Sequence, residues 1–304
     1  MKNNLETFVG KLKLKNPLIL ASGTSGYGIE LKDYIDYNEI GAFISKGIHY
    51  NEKSGNPSPR IYETPCGMIN SIGLQGIGVK RFKNEVLPFW EEFDTLFGVN
   101  VSGDDEEEFA RVVGYLSGSK RIDFFEINLS CPNLREGGIS FSLFPEKIER
   151  IIKLVKNETN KPLWAKLSPQ VTFIEEIVEA SIKGGAEAVV LANTYVATAI
   201  DVEKRKPRIA NVFGGLSGPA IKPITLALVL KVAKKFDIPI VASGGVFSGY
   251  DLLEYITAGA SAVEIGTLTL TSPSSYKKVL EEVKGFMEKF NIESMVKLKG
   301  SVKV

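Results

Sequence analysis

The chain places two amides, a hydroxyl, a thiol and a proline in one short stretch, Glu126-Ile127-Asn128-Leu129-Ser130-Cys131-Pro132-Asn133. It follows the largely apolar run Ile122-Asp123-Phe124-Phe125, which reads as the start of a buried strand. Polar groups crowded at the C-terminal end of a hydrophobic strand make a poor core and a good floor for a site. Amides donate and accept hydrogen bonds, and the Cys131 thiol can act as a base once its surroundings activate it. The next residues, 134–141, carry the pair Gly137-Gly138 and read as a lid.

Other strand-like runs end in the same way. Pro17 to Ala21 ends in Ser22, Ala42 to Ser45 in Lys46-Gly47, and Leu96 to Val99 in Asn100. Pro162 to Ala165 ends in Lys166, and Ala188 to Leu191 in Ala192-Asn193-Thr194. Pro239 to Ala242 ends in Ser243-Gly244-Gly245, and Ala262 to Ile265 in Gly266-Thr267. A lysine directly after an apolar strand, at Lys46 and at Lys166, is more than the usual polarity of a strand end. The Gly244-Gly245 and Gly266-Thr267 turns offer backbone N–H groups in the loops after the seventh and eighth strands, the usual phosphate position of a barrel. Gly218, in Gly214-Gly215-Leu216-Ser217-Gly218-Pro219, can join them from the loop before. A phosphate-tethered cofactor held there would lay its head over the mouth, where Lys166 can stabilise developing negative charge.

The elements that must position these groups are eight buried strands with a helix after nearly every one. Such alternation implies a parallel sheet, and eight units imply an α/β fold of the (β/α)8 TIM-barrel class. The whole of 1–304 reads as one domain. Residues 7–14 read as a hairpin capping one end, and two long loops, from Tyr50 to Gly78 and from Tyr195 to Pro219, extend over the C-terminal face. A short helix is expected around Glu30 to Tyr37. A capping box at Thr172-Phe173-Ile174-Glu175 should open one helix, and Ser272-Pro273 should cap the last. An open doubly wound sheet is the main rival, but no G-x-G-x-x-G follows the first strand.

Composition excludes several classes. The 304 residues are 44% hydrophobic and 24% charged, with net charge +1, so no electrostatic footprint for nucleic acid or an anionic membrane is visible. No apolar run reaches membrane-spanning length and no signal peptide opens the chain, which points to the cytoplasm. Two cysteines and one histidine cannot ligate an iron–sulfur cluster or a structural zinc; no metal site is expected. His49 reads as a loop or surface residue and Cys66 as structural or incidental.

The motifs Asn128-Leu129-Ser130-Cys131-Pro132-Asn133, Asn70-Ser71-Ile72-Gly73-Leu74-Gln75, Asn193-Thr194-Tyr195 and Gly214 to Pro223 resemble the class 1 dihydroorotate dehydrogenases. The last, with Asn56-Pro57-Ser58-Pro59-Arg60, resembles their NAD-linked subgroup. The resemblance implies one FMN per chain and oxidation of dihydroorotate to orotate in pyrimidine biosynthesis. Cys131 would remove the proton from carbon 5, the hydride of carbon 6 would pass to the flavin, and Lys166 would stabilise the reduced flavin. Ser22, Lys46, Gly47, Asn100, Asn128, Lys166, Ala192, Gly218, Gly244, Gly245, Gly266 and Thr267 would hold the cofactor. Lys46, Asn70, Ser71, Ile72, Gly73, Leu74, Asn128, Asn193 and Thr194 would hold the substrate. Electrons would reach NAD+ through a partner subunit carrying FAD and a [2Fe-2S] cluster, in a heterotetramer of two catalytic and two electron-transfer chains. One departure is Gly76-Ile77-Gly78, where relatives tend to have Asn-Pro-Gly. A fumarate-linked enzyme, another FMN barrel reductase acting on a dihydropyrimidine or dihydrouridine, and a non-redox phosphate-binding barrel stay open as alternatives.

Overall fold

The computed structural model describes residues 4–130, 132–133, 139–140 and 144–303. Eight parallel strands close into a barrel: β1 (Leu18–Leu20), β2 (Ala42–Ile48), β3 (Leu96–Val101), β4 (Phe124–Asn128), β5 (Leu163–Lys166), β6 (Ala188–Leu191), β7 (Ile240–Ser243) and β8 (Ala262–Ile265). Neighbours in sequence are neighbours in the barrel, and β8 closes on β1. The (β/α)8 expectation holds.

Strand alternation sorts the side chains. Ile19, Ala42, Ile44, Phe124, Trp164, Ala188, Val190, Val241 and Ala262 pack together inside the barrel. Their alternates, such as Leu18, Phe43, Phe125, Ala165, Val189 and Val263, pack in the second core, with the helix residues. Phe124 and Trp164 stack inside with ring centroids 3.7 Å apart. Gly98 makes room for them, since a Cβ there would lie 2.3 Å from the Phe124 ring. The hairpin Thr7–Val9/Leu12–Leu14 adds Val9 and Leu14 to this inner core and so plugs one end. Two residues beyond Phe124 and Trp164 on the same faces come Glu126 and Lys166, so the apolar core ends where the polar mouth begins.

Helices follow most strands: α1 (78–90, with a π-helical turn at Phe82–Val86), α2 (Glu106–Leu116), α3 (Pro145–Glu158), α4 (Ile174–Gly184), α5 (Lys222–Lys235), α6 (Gly249–Ala258), the short α7 (Thr267–Thr271) and α8 (Ser275–Lys289). Several local expectations need correction. After β1 the chain makes two 3-10 turns, Ile29–Leu31 and Tyr37–Glu39, because Asp36 caps Asn38 and restarts the chain there. Phe173, not Thr172, precedes α4 and gives no side-chain cap. Ser272 and Pro273 lie one turn before α8, whose N-cap is Ser274. Lys46 and Gly47 sit within β2, where the pairing with β3 shifts register before resuming at Ile48 opposite Val101.

The two long loops are not irregular. Tyr195–Ala197, Gly214–Ser217, Gly67–Asn70 and Ile61–Thr64 form one antiparallel sheet, in that order. Each loop contributes one antiparallel pair, and the pairing of Gly67–Asn70 with Gly214–Ser217 joins them, which satisfies backbone groups along one edge of each pair that would otherwise be left to water.

His49 is buried, not on the surface, and neither ring nitrogen has a hydrogen-bond partner among the described residues. Burial, aided by the Lys53 cation and opposed by Asp104, pushes its pKa down to about 4. The unfolded chain therefore binds a proton through the window from about 6.5 to about 4 that the folded chain refuses. Stability should be fully present above that window and fall by up to about 3 kcal/mol as pH drops through it. Urea unfolding at both ends of the window should show this loss reduced in His49→Leu; an equal loss in the variant would assign it to other groups.

Candidate active site

The floor of the mouth is an ion cluster. Lys166 Nζ lies 2.9 Å from Glu264 Oε2 and 3.2 Å from Glu126 Oε1, with both carboxylate side chains fully buried. Asn100 Nδ2 donates to Glu126 Oε1 at 2.6 Å. Strand pairing sets the arrangement, since Asn100 stands opposite Glu126 and Lys166 opposite Asn128. Burial alone would lower the Lys166 pKa; the Glu126 and Glu264 carboxylates outweigh it and hold it above its ordinary value. Lys166 is therefore held as a cation rather than as a neutral amine.

Beside it lies an amide–hydroxyl network. Ser130 Oγ donates to Asn128 Oδ1 at 2.7 Å, Asn193 Nδ2 donates to both, and Asn128 Nδ2 donates to Ser102 Oγ at 3.3 Å. Thr194 N donates to Asn193 Oδ1 at 2.8 Å. Ser130 is the residue before Cys131. Cys131 itself and the Gly137-Gly138 lid lie outside the described residues.

The cross-loop sheet brings remote residues to this network. Asn70 pairs with Gly215 and its Nδ2 donates to the Gly215 carbonyl at 3.3 Å. Thr194 packs against the same Gly215. Leu74, at the tip of the 70–75 segment, has φ 56, a left-handed conformation that a branched side chain adopts at a cost. The Ser71 hydroxyl accepts from Asn56 Nδ2 and Asn211 Nδ2, so it also ties loops together. Lys46 is half-buried, and burial pushes its ammonium below its ordinary value. A cleft of about 420 Å³ between residues 52–54 and 75–77 includes Lys46 in its lining. Gly47 lies against Asn100 and Ser102.

At the opposite side three glycine turns converge. A Cβ on Gly245, where φ is +70, would lie 2.8 Å from the Gly218 carbonyl and 2.8 Å from Lys222 N. Thr267 Oγ1 donates to Ser217 Oγ at 2.8 Å, joining the last turn to the same place. Tyr255 Oη donates to the Gly244 carbonyl at 2.7 Å and fixes the turn from below. Ser22 and Ala192 end β1 and β6 within the same rim; Ala21 N bonds Ile265 O at 3.0 Å and Ala192 N bonds Ser243 O at 2.9 Å. Backbone packed this closely, with side chains excluded, fits an anion cradle. A phosphate cradle, a buried cation and an amide network around one mouth fit a phosphorylated, electron-accepting cofactor beside a small polar substrate.

The model of the dihydroorotate dehydrogenase family matches residues 4–287. The chain belongs to the dihydroorotate dehydrogenase family. The relatives include proteins named dihydroorotate dehydrogenase B (NAD+), catalytic subunit. One from Thermoanaerobacter pseudethanolicus is 46% identical over 301 residues, covering 99% of this chain and 99% of its own. Those from Alkaliphilus metalliredigens and Geobacter sp. strain M21 are 43% and 42% identical, each with 99% of both chains covered. Among the described residues, no group of three or more His, Cys, Asp or Glu is placed to hold a metal, and no helix is long and apolar enough to cross a membrane.

Glu264 and Ser102 lie outside the motifs, and Glu126 and Ser130 lie within the 126–133 stretch but receive no role from sequence. A carboxylate in the middle of the apolar runs at Phe124–Asn128 and Ala262–Ile265 was the available signal for the two glutamates. If Ser130 links the two asparagines as its hydrogen bonds show, Ser130→Ala should lower stability by about 1 kcal/mol. The measurement is the urea midpoint, and an unshifted midpoint would mean that the hydroxyl is replaceable by water.

Proposed function

We propose that the chain is the catalytic subunit of an NAD-linked dihydroorotate dehydrogenase, oxidising dihydroorotate to orotate for pyrimidine biosynthesis. The observation that carries this reading is the buried Lys166 cation beside the Asn128–Ser130–Asn193 network, facing a glycine phosphate cradle. It is supported by the printed names of relatives that match almost end to end.

FMN, bound once per chain, supplies the acceptor for the hydride that leaves carbon 6 of the substrate. Gly218, Gly244, Gly245, Gly266 and Thr267 hold its phosphate, with Ser22, Lys46, Gly47, Asn100, Asn128 and Ala192 along the rest. Lys166 keeps a fixed positive charge where negative charge develops. Asn70, Gly73, Leu74, Asn128, Asn193 and Thr194, with Lys46, hold the pyrimidine ring and its carboxylate; Ser71 and Ile72 shape the loop that carries them. Cys131 removes the proton from carbon 5, so that proton and hydride leave adjacent carbons and a double bond remains. Residues 1–304 act as one FMN-binding domain in the cytoplasm. A partner subunit with FAD and a [2Fe-2S] cluster passes the electrons to NAD+ in a heterotetramer of two catalytic and two electron-transfer chains.

Two substitutions test the reading. Cys131→Ala should keep FMN but lose at least about 100-fold in dihydroorotate turnover, the usual worth of a general base. Cys131→Ser should recover part of it at high pH, and wild-type turnover in Cys131→Ala would remove the thiol from the reaction. Gly245→Val should lose FMN on gel filtration, because its side chain must enter the cradle with positive φ; full retention of FMN would place the phosphate elsewhere.

A further inference from the structure

Two carboxylates and one ammonium share the floor of the mouth, all three buried. If every group were ionised, the cluster would carry one surplus negative charge at a buried position, which is costly. The hydrogen bonds show where the imbalance lies. Glu126 Oε1 accepts from Asn100 Nδ2 at 2.6 Å and from Lys166 Nζ at 3.2 Å. Glu264 Oε2 accepts from Lys166 Nζ at 2.9 Å. Glu264 Oε1 is buried without a well-formed hydrogen bond among the described residues, and the Ser243 hydroxyl, its cross-strand neighbour, favours the ionised form of this carboxyl. Glu126 Oε2 is 3.5 Å from Lys166 and is the oxygen left over on the other carboxyl.

We infer that Glu126 and Glu264 are a proton-sharing pair of positioning residues, with one proton on Glu126 directed at Glu264, which hold the Lys166 ammonium in place while keeping the cluster electrically neutral. The inference rests on the FMN reading of the site and deepens it. A neutral cluster lets the Lys166 charge act on the cofactor without a surplus negative charge beneath it. Lys166 is bound on two sides, so its long side chain has one position and no reorganisation precedes the reaction. Burial first, and then the Glu264 charge, push Glu126 up to about 8, against the opposing pull of Lys166. The groups facing Glu126 are Asn100 on β3, Lys166 on β5 and Glu264 on β8; Ser243 of β7 stands beside Glu264.

Sulfite provides a probe independent of dihydroorotate, because its addition to bound flavin places negative charge on the ring system and is favoured by a nearby cation. Titrations would be made on the flavin-loaded wild type, Glu126→Gln, Glu264→Gln and Lys166→Met. Neutralising either glutamate alone lets the remaining one ionise, so net charge is unchanged and sulfite affinity should stay within about threefold of wild type. Lys166→Met should weaken sulfite binding by about tenfold or more. Tightening of about tenfold or more in either glutamine variant would show two ionised carboxylates in the resting protein and overturn the inference. An unchanged affinity in Lys166→Met would overturn it as well, by removing the ammonium from the flavin. A second measurement needs no variant. Infrared spectra of wild-type holoenzyme carrying carbon-13-labelled glutamate should show the C=O stretch of a protonated carboxyl at neutral pH, fading as pH rises through about 8; absence of that band overturns the proposal. A chain that takes up no flavin at all would instead count against the FMN reading.

Discussion

The site depends on one ion cluster, the Lys166 ammonium gripped by Glu126 and Glu264. Its position follows from the period of a β-strand. Trp164 and Lys166 share one face of β5, Phe124 and Glu126 one face of β4, and Ala262 and Glu264 one face of β8. The first member of each pair fills the barrel, and the second turns the top of the core into a charged floor. The stacked Phe124 and Trp164 rings, made possible by Gly98, exclude water from below. Without that dry base the cluster would be a set of solvated charges of little consequence.

Around the floor, the groups are placed by long-range pairing. Asn70 reaches the mouth because its strand pairs with Gly214–Ser217, 145 positions away from Asn70 at Gly215. Thr194 is adjacent to that same glycine. Residues from the loops after β2 and β6 therefore form one wall rather than two independent flaps. The cradle opposite is similarly shared, since Gly218, Gly245 and Thr267 come from three loops and touch through backbone or hydroxyl contacts. The mouth is thus assembled from rigid strand ends and a sheet laid across them, an arrangement that limits the reorganisation a reaction requires.

Much of this was legible in the residues. The eight apolar runs sufficed for the barrel, and the polar group at the end of each, with the glycine turns of the last two strands, marked which residues gather at its mouth. The rest depended on contacts between distant segments. The 50–78 and 195–219 stretches look irregular in sequence, yet each folds into its own antiparallel pair, and the pairing of Gly67–Asn70 with Gly214–Ser217 joins the two pairs into one sheet. Glu126 and Glu264 look like ordinary polar interruptions of apolar strands until the barrel closes and aims both at Lys166. His49 looked like a surface residue because it follows Lys46-Gly47-Ile48, whereas β2 runs on through a register shift to Ile48 and leaves His49 buried just beyond its end.

The central claim is that this mouth takes hydride from dihydroorotate onto a bound flavin. Mixing the flavin-loaded chain with L-dihydroorotate in the absence of oxygen, while following the flavin absorbance, tests it most directly. Bleaching of the oxidised flavin is expected, followed by slow or absent reoxidation by NAD+ until the partner subunit is supplied. A flavin that binds normally and stays oxidised with dihydroorotate would contradict the substrate assignment while leaving the barrel and its cradle intact.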